Sequence, residues 1–545
     1  MAISNFTNRS TSGVDEDALA TTNSGEQVRN FAQLTTTGDL ADGVFADADH
    51  VTIRNFGHIE TSGLGAAGVF VAGDDARIEN YGSVVTRGGV FDPDPATEED
   101  DLFSEGLTVV GDRFHVANYG SVRVEGELSS GLSGVGVDGV LTNSGRIESI
   151  ATESSAIGVF GDRSQAINYG QVIVGGENNA AMFALGEEAA AINRGSILMT
   201  GAGSVGMEGV ITNTQVSNSG VIRVTADEGI GMCGFGDGHT ISNFNLIEMR
   251  GFFSLGMEAS GVPSLDLAGL DNQILNAGRI ATVGDLAVGV TLGLTNGGDS
   301  PGFVPAANGV IINRGVIETE GDGAAGVAMI GDGHHLTNNG RIASDGGVFD
   351  GDPVGLFRAA GVVVSGDDAL VENTRSGVIE SADAASAAVE LNLVERDGLS
   401  VTDTSSRLEN AGLIKGPGVA VLGGAGRESV VNHGRIAGDV MLGDGADTFV
   451  FGKGGTLAGA LLLGGGDDLV VIENGAGTTR VADFAAGAAS GDRIDVSAFF
   501  ASFDQLKAHS SQSGGDVAIV LDSDDSLRLA GVQLSALNAG DFLFA

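Results

Sequence analysis

The chain has no tryptophan, a single cysteine and few bases among its 545 residues. Because Cys233 stands alone, no intrachain disulfide can form, and a buried free thiol is the simplest expectation. No run of 18 apolar residues occurs, so the sequence predicts no transmembrane segment. The N-terminus, MAISNFTNRS, lacks the basic and apolar regions of a secretory signal peptide, which taken alone would indicate the cytoplasm.

The shortage of bases also limits the possible partners. There are 72 acids and 27 bases, and the formal net charge is −45. Nucleic acids and anionic membranes are bound through basic patches, so this balance argues against both. It favours cation binding or solubility at high salt instead.

What the chain does have is a column of asparagines. Of the fifteen gaps between successive members, nine are 25 residues, the last is 22, and the other five are longer by 8 to 13. The column consists of Asn5, Asn30, Asn55, Asn80, Asn118, Asn143, Asn168, Asn193, Asn218, Asn243, Asn276, Asn313, Asn338, Asn373, Asn410 and Asn432. A repeat of this length indicates a solenoid, with insertions at the longer gaps.

Each repeat has the pattern of short strands. Apolar residues such as Ile53 and Ile59 lie two before and four after the asparagine and alternate with polar ones. Glycine follows the asparagine by two, as in Asn55-Phe56-Gly57. Both residue types tolerate positive φ, so we predict a corner there. Stacked asparagines can also hydrogen-bond from one coil to the next.

We therefore predict an all-β fold, a parallel β-solenoid of about 16 coils with a spacing of about 4.8 Å. The 90 glycines exclude pairs of helices, because each glycine costs a helix about 1 kcal/mol. Over residues 1–437 the chain resembles the pectin-lyase-like and autotransporter-passenger solenoids. That resemblance implies the fold and says little about activity.

A different pattern begins after Asn432. Residues 443–449 read GDGADTF and residues 464–470 read GGGDDLV, which fit the core of a glycine-rich nonapeptide. They resemble the calcium-binding β-roll of RTX proteins over residues 438–480. The resemblance implies that Ca²⁺ is bound by Gly443, Gly445, Asp447, Gly464, Gly466 and Asp468. Leu442 and Leu463 replace the first glycine of each motif, and turn aspartates that bind no metal are the alternative.

Residues 481–545 complete the C-terminal part. The segments Val481–Phe484, Gly491–Ser497 and Asp541–Phe544 resemble the type I secretion target region that follows RTX repeats, including the serralysin C-terminal domain. The resemblance implies export from a Gram-negative cell by a type I apparatus, and an extracellular or cell-surface location. It also accounts for the missing signal peptide.

Two further features have two interpretations each. An acid follows a glycine at a recurring corner of the repeat, and the stacked acids form either a calcium-binding edge or a column of solvated turns. The pairs are Gly73-Asp74, Gly111-Asp112, Gly161-Asp162, Gly186-Glu187, Gly236-Asp237, Gly331-Asp332 and Gly366-Asp367. The insertions 88–103 and 346–357 share the motif GGVFD and would expose Phe91 and Phe349. They are either functional loops, which form subunit contacts or acidic cation sites, or loops without a function that were copied with a duplicated block.

Motifs for catalysis are missing. There is no H-E-x-x-H sequence, which excludes a serralysin-like zinc protease, and His334 and His335 lack a third ligand. We predict no catalytic residues and no enzyme. The alternative is a carbohydrate-active enzyme, a polysaccharide lyase or glycoside hydrolase, and a deep groove pairing carboxylates with Arg or Lys would favour it.

The sequence thus predicts a secreted, calcium-binding structural or adhesive protein of the S-layer, fibre or adhesin class. We expect self-assembly into a homo-oligomer or polymer, since Ile3 already occupies an inward position and no cap precedes the first coil. Cell-surface polysaccharide is a further possible partner.

Overall fold

The computed structural model describes residues 2–93, 102–296, 301–303, 306–349, 358–391, 404–487 and 491–545. The chain forms two compact units, one of Met1–Gln273 with Thr295–Gly302 and one of Ile274–Leu294 with Phe303–Ala545. In each unit, short strands pair in parallel with strands one repeat away, which confirms the predicted parallel β-solenoid. In the described part of the chain, no helix has the length and apolar character of a membrane span.

Each coil of the first unit has three short strands. The first ends at the column asparagine: β1 Ala2–Asn5, β4 Gln27–Asn30, β7 Thr52–Asn55, β10 Arg77–Asn80, β13 His115–Asn118, β16 Val140–Asn143, β19 Gln165–Asn168, β22 Ala190–Asn193, β25 Gln215–Asn218 and β28 Thr240–Asn243. The second strands are β2 Arg9–Thr11, β5 Gln33–Thr36, β8 His58–Thr61, β11 Ser83–Thr86, β14 Ser121–Val124, β17 Arg146–Ser149, β20 Gln171–Val174, β23 Ser196–Met199, β26 Val221–Val224 and β29 Leu246–Arg250. The third strands are β3 Leu19–Thr21, β6 Val44–Asp47, β9 Val69–Ala72, β12 Leu107–Val110, β15 Leu132–Val135, β18 Ser155–Phe160, β21 Ala180–Leu185, β24 Val205–Thr212, β27 Ile230–Asp237 and β30 Leu255–Ser260.

The second unit continues this order. Its first strands are β31 Gln273–Asn276, β37 Val310–Asn313, β40 His335–Asn338, β43 Ala369–Asn373, β46 Ser405–Asn410, β48 Arg427–Asn432, β50 Thr448–Phe451, β53 Leu469–Ile472, β55 Arg493–Asp495 and β59 Phe542–Leu543. The second strands are β32 Arg279–Val283, β38 Val316–Glu320, β41 Arg341–Asp345, β44 Val378–Ser381 and β51 Thr456–Leu457. The third strands are β33 Val288–Leu292, β39 Val327–Asp332, β42 Val362–Ser365, β45 Val389–Leu391, β52 Leu461–Leu462, β54 Thr478–Val481 and β58 Ser526–Leu529. Two strands, β47 Leu413–Leu422 and β49 Arg435–Met441, run through both the second and third positions. The remaining elements are β34 Leu294–Asn296, β35 Pro301–Phe303, β36 Ala306–Ala307, β56 Ser510–Ser513, β57 Asp516–Val520, the helix α1 Phe503–Ala508 and 3-10 turns at Pro263–Leu265, Leu534–Ala536 and Ala539–Asp541.

Alternation along each strand places the apolar residues inside the coil. In one coil, Ile53, Ile59 and Val69 are at most 1% exposed, and strand neighbours such as Arg54 and Glu60 are partly exposed. The same side chains recur in register in the next coil, so Ile53 pairs with Ile78 and Ile59 with Val84. Stacking of these ladders builds a continuous apolar core within each unit, since burial of each such side chain contributes about 1.5–3 kcal/mol.

The asparagine column forms the predicted hydrogen-bond ladder. Each buried Nδ2–H donates to Oδ1 of the asparagine one coil on, over 2.8–3.0 Å, from Asn5 to Asn243 in the first unit. The second unit repeats this from Asn276 to Asn432 over 2.8–2.9 Å. Insertions leave the ladder intact, because the bond from Asn80 to Asn118 is 2.8 Å although 38 residues separate them.

The Asn-x-Gly corner does not use positive φ, the property from which we predicted it. In the described residues, neither the column asparagines nor glycines such as Gly57 and Gly145 occupy the left-handed region. Glycine is needed there because neighbouring coils come too close for a side chain. A Cβ on Gly145 would lie 2.0 Å from the carbonyl oxygen of Gly120, and one on Gly82 would lie 1.9 Å from that of Gly57.

The residue after each asparagine points outward, and in the first unit several of these residues are aromatic. Five rings stack with centroids 4.9–5.0 Å apart and planes within 11° of parallel: Phe6, Phe31, Phe56, Tyr81 and Tyr119. We name these five side chains the aromatic ridge. Their exposed fractions lie between 43% and 72%, so ring edges form an apolar line on the surface.

Candidate metal centre

The two predicted calcium motifs form stacked turns in the second unit. Gly443, Gly445, Gly464 and Gly466 all have φ between +92° and +141°, a conformation that glycine adopts without strain. The amide of Gly445 donates to the carbonyl of Gly465 over 2.7 Å, and the amide of Gly465 donates to the carbonyl of Gly443 over 2.9 Å. The structure therefore brings the four predicted glycines together in register.

The two predicted aspartates lie one above the other at the end of these turns. Oδ1 of Asp447 accepts the amide of Glu428 over 2.8 Å, and Oδ1 of Asp468 accepts the amide of Asp447 over 2.9 Å. The side chains of both aspartates are at least 98% buried, and their Oδ2 atoms have no hydrogen-bond partner among the described residues. A buried carboxylate oxygen without a partner is costly, so each Oδ2 atom calls for a proton or a cation.

Sequence reasoning missed two members of this column. Glu428 lies one coil before Asp447, and Asp492 lies one coil after Asp468, because the neighbouring strands pair Ser429, Thr448, Leu469 and Arg493 in register. Oδ1 of Asp492 accepts the amide of Asp468 over 3.3 Å. The sequence signal was an acid shortly after a glycine at the start of a strand, as in Gly426-Arg427-Glu428 and Gly491-Asp492.

Electrostatics at this column favour a bound proton or cation. Burial, followed by the nearby charge of Glu428, raises the pKa of Asp447 to about 8, and burial raises the pKa of Asp468 to about 7. No group of three or more His, Cys, Asp or Glu side chains in the described ranges is arranged to hold a metal. The side-chain atoms that could hold a hard cation here are the two Oδ2 atoms, since carboxylate oxygens suit Ca²⁺.

Leu442 and Leu463 replace the glycines that open the resembled motif. Both side chains are 1% exposed and pack in the core. The column asparagine is itself replaced in these coils, since Asn432 pairs with Phe451 and Phe451 with Ile472. The C-terminal coils therefore exchange a polar ladder for an apolar interior and keep their polar groups in the turns.

The repeated Gly-Asp corners form a different kind of column. Oδ1 of Asp74 accepts the amide of Asp112 over 2.9 Å, and Oδ1 of Asp112 accepts the amide of Val137 over 3.0 Å. Arg113 pairs with both Asp74 and Asp75. The amide of Asp112, followed by Arg113, lowers the pKa of Asp74, and Arg113 lowers the pKa of Asp75. Backbone amides and arginine thus stabilise the carboxylates, which favours the turn-column interpretation over a calcium edge.

The two similar insertions are described only near their ends, since residues 94–101 and 350–357 lie outside the described residues. Each is closed by an antiparallel bridge, Phe91 with Leu102 and Val348 with Arg358. Phe91 and Phe349 are half-buried, so the prediction that both are exposed was wrong. Phe91 packs against the coil surface at Gly65, where an added Cβ would lie 2.8 Å from the Cβ of Phe91.

The buried histidines have structural partners. Nδ1 of His334 accepts the amide of Gly309 over 3.0 Å, and its Nε2 contacts the carbonyl of Ile330 over 3.1 Å. His239 contacts the hydroxyl of Thr214 over 2.6 Å. Burial lowers the pKa of both rings, to about 4 for His239, so both are neutral corner residues near pH 7.

One groove in the second unit pairs carboxylates with bases. It has a volume of about 440 Å³, and its charged lining includes Arg279, Glu318, Arg341, Glu380 and Lys415. These charges pair across coils, since Arg279 lies 2.7 Å from Glu318 and Arg341 lies 2.6 Å from Glu380. The hydrogen bond from Arg279 lowers the pKa of Glu318, which is the opposite of what a general acid requires.

Comparisons with known proteins add little to this description. No protein-family model and no curated protein matches the chain. Among solved structures, it is similar to a chain in the cryo-EM structure of the Vag8–C1 inhibitor complex. The identity is 15%, the match covers 91% of this chain and 95% of that chain, and the TM-score is 0.35. The fold assignment therefore rests on the strand pairing itself.

Proposed function

We propose that this chain is a secreted, calcium-binding structural or adhesive protein of the S-layer, fibre or adhesin class. The observation that carries the proposal is the pair of buried Oδ2 atoms of Asp447 and Asp468, which have no hydrogen-bond partner within the described ranges. Both aspartates directly follow the stacked glycine turns. Ca²⁺ would neutralise both carboxylates and be coordinated by turn carbonyls. Export by a type I apparatus and self-assembly belong to the same proposal.

Removal of calcium tests this proposal. We expect EGTA to lower the melting temperature above about pH 8, because the two buried carboxyls then lose their protons and repel each other when no cation is bound. The double variant Asp447→Ala, Asp468→Ala should lower it in calcium by a similar amount and abolish the response to EGTA. Light scattering on the same samples should show assemblies in Ca²⁺ and their dissociation in EGTA.

The matched control is the double variant Asp444→Ala, Asp467→Ala. These two aspartates lie in the same turns but are exposed, so the variant changes the net charge equally and leaves the buried column intact. It should keep the wild-type response to calcium. A melting curve of the wild type that does not change in EGTA would contradict the calcium site.

The alternative of a carbohydrate-active enzyme has less support. Its expected groove would pair carboxylates with Arg or Lys, and the groove from Arg279 to Lys415 has these residue types. Their mutual ion pairs favour a role in holding coils together, since a catalytic acid needs a raised pKa and a free proton.

A further inference from the structure

A cavity of about 740 Å³ lies along the outer face of the third strands in the first unit. Its lining extends along the chain from Phe103 to Glu208. A second cavity of about 370 Å³ lies beside it toward Phe70 and shares the side chains of Phe103 and Glu105. The larger volume is in the range typical of sites for small molecules.

The depression results from the register of the coils. The outward position at the middle of the third strand is occupied in turn by Phe70, Thr108, Ser133, Gly158, Phe183 and Glu208. Three small residues thus separate two phenylalanines. At about 4.8 Å for each coil, the surface is recessed over roughly 14 Å between aromatic walls.

Aromatic rings form much of the wall. The rings of Phe160 and Phe183 lie 5.4 Å apart with planes inclined at 42°, and Phe103 faces the same cavity with 39% of its side chain exposed. Rings inclined in this way leave faces and edges available to a ligand. The faces carry the negative end of the ring quadrupole, which attracts cations.

Two carboxyl groups also line the cavity. Glu105 accepts a hydrogen bond from the hydroxyl of Thr108, whereas Glu208 has neither a hydrogen bond nor an ion pair among the described residues. Burial raises the pKa of each group to about 7. The described lining of the larger cavity contains no Lys, Arg or His, so nothing there offers a positive charge to Glu208.

We propose that this cavity binds a small organic cation, an ammonium group carried on an apolar body. The ammonium group would pair with Glu208 and contact the faces of Phe160 and Phe183, while the apolar body would lie against Ser133 and Val135. An anionic ligand is disfavoured by the acidic lining and by the net charge of −45. An uncharged ligand would leave Glu208 without a partner.

Calorimetric titration of the full chain with phenethylammonium tests this. Its uncharged analogue 2-phenylethanol and a neutral trisaccharide are titrated in parallel at the same millimolar concentrations. We expect measurable binding for the ammonium compound only. Glu208→Gln should weaken it about tenfold or more, as for loss of a charge-assisted hydrogen bond. Phe183→Ala should weaken it about fivefold, as for loss of a cation–π contact.

The matched control is Glu187→Gln, an exposed turn position near the same strand that changes the net charge equally. It should leave the affinity unchanged. Phe183 and Glu208 are both partly exposed, so neither variant should unfold the protein, and melting curves of the same samples verify this. Equal binding of 2-phenylethanol, preference for the trisaccharide, an unaltered affinity in Glu208→Gln, or no binding of any probe would each overturn the proposal.

Discussion

Most column asparagines make two kinds of hydrogen bond at once. The Oδ1 atom accepts the amide two residues on, as Asn168 does for Gly170 over 3.1 Å, and the Nδ2 atom reaches the next coil. An ionised aspartate could not donate a hydrogen bond to the next coil. A serine is too short to reach both the next coil and the amide two residues on. This explains why one residue type recurs at this position.

Replacement of one asparagine should therefore be costly. In Asn168→Ala, the bonds to Asn143 and Asn193 and the acceptor for Gly170 are all lost from a fully buried position. We expect the free energy of unfolding to fall by about 2–4 kcal/mol, because buried partners remain unsatisfied. Urea denaturation measures this.

Ser144→Ala is the control, since this exposed residue follows the neighbouring column asparagine. It should change the free energy of unfolding by less than about 0.5 kcal/mol. An equally small effect in Asn168→Ala would show that the ladder contributes nothing beyond packing.

Buried carboxyls should make stability depend on pH. Asp42 is 7% exposed, its Oδ1 accepts the amide of Ala67 over 2.7 Å, and burial raises its pKa to about 8. A pKa raised in the folded state means that stability is fully present below the unfolded value near 4 and falls as the pH rises through 8. Asp42→Asn keeps an acceptor and removes the ionisation, so its melting temperature should exceed that of the wild type at about pH 9 and equal it near pH 4.

Asp39→Asn provides the comparison. Asp39 also accepts an amide of the next coil, that of Leu64 over 3.0 Å, but in an exposed position. It should not gain stability at high pH. If the melting temperatures of the two variants depend on pH in the same way, burial of Asp42 does not cause the pH dependence of stability.

At the residue scale, the sequence predicted the features that recur in every repeat but not the sites formed by different residues of neighbouring coils. The asparagine ladder was predictable because one residue type recurs at one spacing. The cavity that contains Glu208 was not, because it depends on small residues at Ser133 and Gly158 that become neighbours only through strand register. Glu428 was missed since its coil lacks the full glycine motif.

The strands and corners were predicted in type and order, but the role of glycine in the corners was not. A sequence shows that glycine recurs, and positive φ is one reason for it. The structure shows the other reason, which is the approach of successive backbones. This close approach can be recognised only when the distance between coils is known, and that distance is set by the assembled sheets.

Steric crowding at the corner makes a specific prediction. Gly145→Ala would place a Cβ 2.0 Å from the carbonyl oxygen of Gly120, and a backbone atom cannot rotate away. We expect a loss of about 2–3 kcal/mol in the free energy of unfolding, as for overpacking. Gly175→Ala is the control, because its nearest neighbour would be 3.7 Å from the added Cβ. Equal stability of the two variants would argue against close coil contact.

At the scale of the whole molecule, the C-terminal segment has a structural role besides its predicted role in export. Strand β58 pairs with β54, strand β59 pairs with β55, and the carboxylate of Asp525 accepts the amides of Gly475 and Gly477. The boundaries predicted at 437 and 480 remain predictions, since strands on both sides of them pair with one another.

A test of export must therefore distinguish a secretion signal in residues 481–545 from a requirement of these residues for folding. Deletion of residues 481–545 should retain the protein in the cytoplasm, and deletion of residues 1–30 should not. Because the first deletion also removes β58 and β55, the partners of β54 and β53, fusion of residues 438–545 to an unrelated protein is the second arm. Fractionation of cells and medium should show the fusion outside. Secretion of the tail-less chain would refute the prediction.

The aromatic ridge has a consequence for spectroscopy. The chain has no tryptophan and only three tyrosines, and Tyr81, Tyr119 and Tyr169 each follow a column asparagine on the same edge of the first unit. Near-ultraviolet absorption and intrinsic fluorescence of the whole protein thus originate mainly from one line of side chains. Parallel rings less than 6 Å apart couple their electronic transitions, so the near-ultraviolet dichroism reports on the stacking of those coils without any introduced label.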